Sequence, residues 1–134
     1  MKVYLAGAWS RREEIDEVAV RLRKLGVTVT SNWLTEETAQ QTGAFEKFLR
    51  DRAYLDLNDV DEADVIVRFA DEFEGDTVPK HFVSGARHFE FGYAKARGKA
   101  LFVVGGKQNV FDRLDGIVFV KDVDELCRVL SQEE

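Results

Sequence analysis

Cysteine, proline and histidine are scarce in this chain of 134 residues, which holds one Cys, one Pro and two His. The lone Cys127 excludes a disulfide framework and any metal site built from several thiolates. His81 and His88 lack the helical pairing of a metal motif and have no cysteine cluster beside them, so no metal is expected. Positive charge is not in excess: 19 Lys+Arg stand against 25 Asp+Glu, for a formal net charge of -6. That balance excludes the basic face of an ordinary nucleic-acid binder. No run approaches the roughly 20 apolar residues of a membrane span, and the start Met1-Lys2-Val3-Tyr4 lacks the long apolar stretch of a signal peptide. Glycine-rich phosphate loops are missing too. Leu5-Ala6-Gly7-Ala8-Trp9 offers one glycine where a dinucleotide fingerprint needs three, and no Walker lysine motif occurs. The expectation is a cytoplasmic protein that acts on small molecules without a cofactor.

What is present suits one globular domain over residues 1–134. Hydrophobic residues make up 45% of the chain and charged residues 33%, a composition that folds around a core. Val3 to Gly7 is short, apolar and β-prone and predicts a buried first strand. Ile15, Val18, Ala19, Leu22 and Leu25 recur at helical spacing, with Ser10 as N-cap, Glu13 completing a capping box and Gly26 as the stop. Val27–Thr30 predicts strand two, and polar Ser31–Gly43 a loop or loose helical turn. Ala44–Glu62 shows helical spacing again, Asp64–Phe69 is strand three, and Ala70–Val83 is the longest loop. A helix over Ser84–Arg97, strands at Ala100–Val104 and Ile117–Val120, and a helix over Asp122–Leu130 complete the chain. This alternation gives an α/β fold, a five-stranded parallel sheet with helices on both faces. Such sheets bind ligands outside the carboxyl ends of their strands. Gly7, Trp9, Asn32, Trp33, the Ser84 helix start and Asn109 all fall on that edge.

Three features carry chemistry. Glu90 lies between Phe89 and Phe91 in the fourth-strand-proximal helix, and the pattern leaves open whether it is desolvated or reaches solvent. Asp56 and Asp59 share one helical face at i,i+3 within a run of carboxylates, most of which belong to a solvated helix end. Tyr4 points opposite to Val3 and Leu5 in a central strand, so its hydroxyl needs a partner. Cys127, beside Leu126 and Leu130, reads as a small core hydrophobe.

Three motifs in order, Val3-Tyr4-Leu5-Ala6-Gly7-Ala8-Trp9, Asp56-Leu57-Asn58 running into Ala63-Asp64-Val65-Ile66-Val67, and Phe89-Glu90-Phe91-Gly92-Tyr93-Ala94, resemble the nucleoside 2-deoxyribosyltransferase family over nearly the whole chain. The resemblance implies a flavodoxin-like fold, a homo-oligomer with shared active sites, no cofactor, and deoxynucleoside and free-base substrates. It makes Glu90 the nucleophile, Tyr4 the residue that holds it, and Asp56 the group that serves the base, with Asp59 as a competitor for that place. It also makes Asn109 a contact to the sugar's 5′ end across a subunit interface, Trp9 a pocket-wall aromatic, and Gly7 and Trp33 pocket residues, with Asn32 or Trp33 near the place of a base-reading glutamine. Phe82, Phe89 and Phe91 are expected at a dimer seam, and His88 at the surface or an interface. Transferases of this kind carry an aspartate six residues before the nucleophile, where this chain has Ser84. A serine near helix-terminal amides, with Arg87 close by, resembles the related deoxynucleoside 5′-monophosphate N-glycosidases. The Gly85-Ala86-Arg87-His88 stretch is more similar to phage transferases. A non-catalytic nucleotide-binding module on the same fold is the reading from another class.

Overall fold

The computed structural model describes residues 1–35, 45–70 and 85–131. Five parallel strands form one sheet: β1 (Lys2–Ala6), β2 (Thr28–Val29), β3 (Val65–Phe69), β4 (Ala100–Val104) and β5 (Ile117–Val120), in the order β2-β1-β3-β4-β5. Four α-helices accompany them: α1 (Arg12–Lys24), α2 (Phe45–Glu62), α3 (Ala86–Ala96) and α4 (Val123–Ser131). Helices α2 and α3 pack on each other and on β1, while α1 packs against α4. This is the α/β, flavodoxin-like arrangement expected from the alternation of elements.

The core follows from the sequence pattern. β3 is buried along all five residues, as a parallel strand covered on both faces must be. Helix α1 turns Ile15, Val18, Ala19 and Leu22 inward, an i, i+3, i+4, i+7 stripe, and each large apolar side chain so buried contributes about 1.5–3 kcal/mol. Its end is set by backbone chemistry. Gly26 has φ +88°, which lets the Gly26 N–H reach the Arg23 carbonyl and the Val27 N–H reach the Leu22 carbonyl, each at 3.0 Å. That double bond pattern closes the last turn. Cys127 is buried with Leu126 and Leu130, as expected.

Other boundaries differ. The expected capping box at Ser10 and Glu13 is not formed. A 3-10 turn over Trp9–Arg11 precedes α1, whose N-cap is Arg11 and has no side-chain cap bond. The early turn takes the place that Ser10 would have needed in extended conformation. Strand β2 is shorter than expected, covering Thr28–Val29; beyond it the Thr30 N–H still donates to the Val3 carbonyl at 2.9 Å, while its hydroxyl donates to the Asp59 carbonyl at 2.8 Å. Helix α3 begins at Ala86 with Gly85 as N-cap, so the expected start and cap at Ser84 give way to Gly85. Ser84 itself, the loop around Pro79, Phe82 and His81 lie outside the described residues.

The topology fixes where a ligand can sit. From β1 the chain steps to β2 on one side and then crosses to β3 on the other, so β1 and β3 flank the topological switch point. Tyr4 on β1 pairs in register with Ile66 on β3. The fully buried Tyr4 therefore lies beside the crevice.

Candidate active site

Tyr4 finds the partner its buried hydroxyl requires. The Tyr4 O–H donates to Glu90 Oε2 in a buried hydrogen bond that joins β1 to α3 across 86 residues of sequence. Glu90 is 9% exposed, so the desolvated alternative holds. Burial pushes its carboxyl up to about 7; the Tyr4 bond opposes this, and Asp56 and Asp59 add to it through like-charge repulsion. Tyr4 in turn is pushed well above its ordinary range by burial and by the facing carboxylates. Glu90 is thus a carboxyl held near the midpoint of its titration at neutral pH.

Asp56 stands on α2, facing the same space. Its Oδ1 lies 3.2 Å from Arg52 Nε, one helical turn earlier, with both side chains largely covered. Burial raises the Asp56 carboxyl more than Arg52 lowers it. Asp59 is used differently. Its Oδ2 accepts from the Asn32 backbone N–H at 3.1 Å and its Oδ1 from Asn32 Nδ2 at 3.2 Å. Both oxygens of Asp59 therefore tie α2 to the turn after β2, while Asp56 opens into the cleft.

That cleft, about 540 Å³, runs between α2 and α3 and is lined by Leu49, Ala53, Asp56, Leu57, Phe89 and Glu90, with Arg50, Arg52, Tyr54 and Ala86 at its sides. Its size fits a small organic ligand. Leu49, Ala53 and Leu57 of α2 supply the cleft wall, Leu49 remaining 43% exposed, while Val60 of the same helix is buried in the core. Among the described residues no group of carboxylates, histidines or cysteines is placed to hold a metal.

The other expected residues lie at the strand edge around this centre. Gly7 stands against α1, where a Cβ would overlap Ile15 Cδ1, so its small size serves the packing of α1 on β1. Trp9 is exposed, with Arg12 stacked 4.3 Å from its ring centroid and Trp33 6.1 Å away. Trp33 is buried and its indole N–H donates to the Leu5 carbonyl at 2.8 Å. Its polar group is spent inside the fold, so it supports Trp9 from below. Asn109 caps a 3-10 turn over Val110–Arg113, and its Nδ2 lies 3.5 Å from Nδ1 of the half-buried His88. Phe89 is exposed as a seam residue would be, whereas Phe91 is a correction: it is buried in the core, with the Arg68 guanidinium 4.5 Å from its ring. α3 must turn one face to the sheet, and Phe91 is on it.

Sequence reasoning missed Arg52 and Arg68. An arginine four residues before an aspartate on a helix is a recognisable pair signal, and Arg52 satisfies it. Arg68 is the single charge in the apolar run Val65-Ile66-Val67-Arg68-Phe69, and such a break in a buried strand marks a position with an internal partner.

Neither a protein-family model nor a curated protein sequence matches the chain. Solved structures do. A CMP N-glycosidase from Clostridium botulinum superposes with a TM-score of 0.63 at 21% identity, covering 97% of this chain and 98% of that one. A 2-deoxyribosyltransferase from Bacillus psychrosaccharolyticus superposes with a TM-score of 0.67 at 20% identity, covering 94% of this chain and 90% of that one. Across nearly its whole length, the chain has the fold shared by these two enzymes, the fold that its sequence resemblance implied.

Proposed function

We propose that the chain is a nucleoside 2-deoxyribosyltransferase, folded as one unit over residues 1–134. The observation that carries this reading is the Tyr4–Glu90 pair opening, beside Asp56, into an apolar-walled cleft. Ionised Glu90 attacks the sugar's C1′ as the bond to the base breaks, and the departing base takes the bonding electrons and a proton from Asp56. A second base then attacks C1′ of the deoxyribosyl-Glu90 ester, expelling the carboxylate and returning a proton to Asp56. Tyr4 keeps Glu90 oriented, and positive charge on the sugar is met by the carboxylate. Neither step calls for a cofactor. Trp9 would border the base, and Asn109 the sugar's far end. Exposed Phe89, Val110, Phe111 and Leu114 fit a homo-oligomer with a shared site.

A hydrolytic variant of the same chemistry, with water as acceptor and a deoxynucleoside 5′-monophosphate as donor, draws support from Arg50 and Arg52 at the cleft and from the end-to-end likeness to a CMP N-glycosidase. In that case Ser84 belongs to the phosphate end. Chromatography of products from deoxynucleosides and from their monophosphates, each with and without a second free base, separates the readings. The expected result is a new deoxynucleoside formed by the wild type and absent with Glu90→Ala. Free base from monophosphates alone would reassign the protein as a hydrolase, and no product in any mixture would leave a binding module.

A further inference from the structure

Arg68 is 1% exposed and reaches from β3 to the segment that follows β4. Its Nη2 lies 2.7 Å from Asp112 Oδ2, and both side chains are sealed from water. A buried pair of this kind adds little net stability over apolar residues of equal volume, because desolvating two ions offsets their attraction. It does impose geometry. The same Asp112 Oδ2 accepts from the Gln108 N–H at 2.7 Å and the Asn109 N–H at 3.3 Å. Asn109 Oδ1 completes the capping box by accepting from the Phe111 N–H at 2.9 Å. The Asn109 side chain is thereby set against His88, two residues before Glu90. Burial pushes the Asp112 carboxyl up, yet the Arg68 bond and the two amides outweigh it and hold the group below its ordinary range.

We propose that Arg68 is a positioning residue: through Asp112 it sets the segment Gly105–Arg113, and with it Asn109, so that Arg68 governs how the donor is held and not the chemistry at C1′. The role of Asn109 rests on the N-glycosidic reading above; the strut itself does not.

Arg68→Met keeps an unbranched apolar stem beside Phe91 while removing the guanidinium and its charge. Two measurements on it decide the matter. Hydrogen exchange at the Gln108 and Asn109 amides should quicken at least about tenfold while the β4 amides keep their protection. Donor KM should rise about tenfold with kcat within about threefold of the wild type. Asn109→Ala, costly alone, should then add less than about twofold in the Arg68→Met background, since the two changes remove one interaction. Unchanged exchange at Gln108 and Asn109 would overturn the strut. A fall in kcat with KM unaltered, or multiplicative effects of the two changes, would overturn its role in holding the donor. Asp112→Asn breaks the same link from its other end and carries the test if Arg68→Met does not fold. A wild type with no turnover of any donor would sink the N-glycosidic reading, and the exchange result would still decide the strut.

Discussion

Tyr4 and Asp56 push Glu90 in opposite directions. The tyrosine hydroxyl stabilises the ionised carboxylate, whereas the neighbouring aspartate charge disfavours it. If ionised Glu90 is the nucleophile and Asp56 the proton donor, the two carboxyls must hold one proton between them, so kcat/KM falls as pH rises through a limb at about 7, where the pair loses that proton. Tyr4→Phe should move that limb to higher pH, and Asp56→Asn, which removes the facing charge, should lower the pH at which Glu90 itself ionises. The same Asp56→Asn change should lower kcat by about 10²- to 10⁴-fold through loss of the proton donor. Shifts in one common direction for both variants would contradict this electrostatic account. Because the carboxyls interact, the limb belongs to the group and not to Glu90 alone. Much at this scale was legible beforehand: strand alternation turned Tyr4 away from Val3 and Leu5, and the flanking aromatics singled out Glu90. That Asp59 is tied to the Asn32 amides while Asp56 opens into the cleft was not, because it depends on how the fold brings the turn after β2 against α2.

Helix ends were easier to find than helix starts. Gly26 and Gly98 both adopt positive φ, and Gly98 repeats the closing pattern of α1: its N–H meets the Lys95 carbonyl and the Lys99 N–H meets the Ala94 carbonyl, each at 3.0 Å. A glycine after an apolar helical stripe states its purpose in the sequence, since few other residues tolerate that backbone. Gly98→Ala should cost about 1–2 kcal/mol, read as a lower urea midpoint with unchanged m value; an unchanged midpoint would refute the strain argument. The N-termini behaved otherwise. Ser10 is a good capping residue passed over for Arg11, because a 3-10 turn over Trp9–Arg11 decides where the chain leaves β1. Capping preference amounts to about 1 kcal/mol, too little to override that path.

For the whole molecule, keeping Glu90 buried is a cost that varies with pH. Between its ordinary value of 4.5 and about 7, the unfolded chain releases this proton while the folded one retains it. The folded state binds more protons there, so stability falls as pH rises through that window. Glu90→Gln removes the effect. The stability of Glu90→Gln relative to wild type should grow from about pH 4.5 to pH 7 and then level off, by up to about 3 kcal/mol. Urea unfolding across that range measures it, and a pH-independent difference would show that burial is not what holds the proton.

Local patterning determined the elements of this protein: which segments are strands, where α1 and α3 stop, and that the alternation builds a parallel α/β sheet. Those properties depend on neighbours within a few residues and on the period of the apolar side chains. What belongs to the tertiary structure is each meeting of distant residues. The Tyr4–Glu90 bond spans 86 positions and the Arg68–Asp112 pair 44, and the partner in each is fixed only when strand order 2-1-3-4-5 sets β1, β3 and α3 side by side. Burial is settled at the same stage. On α2, Leu49 and Leu57 line the cleft while Val60 lies in the core, Trp33 is buried beside exposed Trp9, and Phe91 turned inward while Phe89 stayed out, because desolvation depends on what the fold lays over a residue.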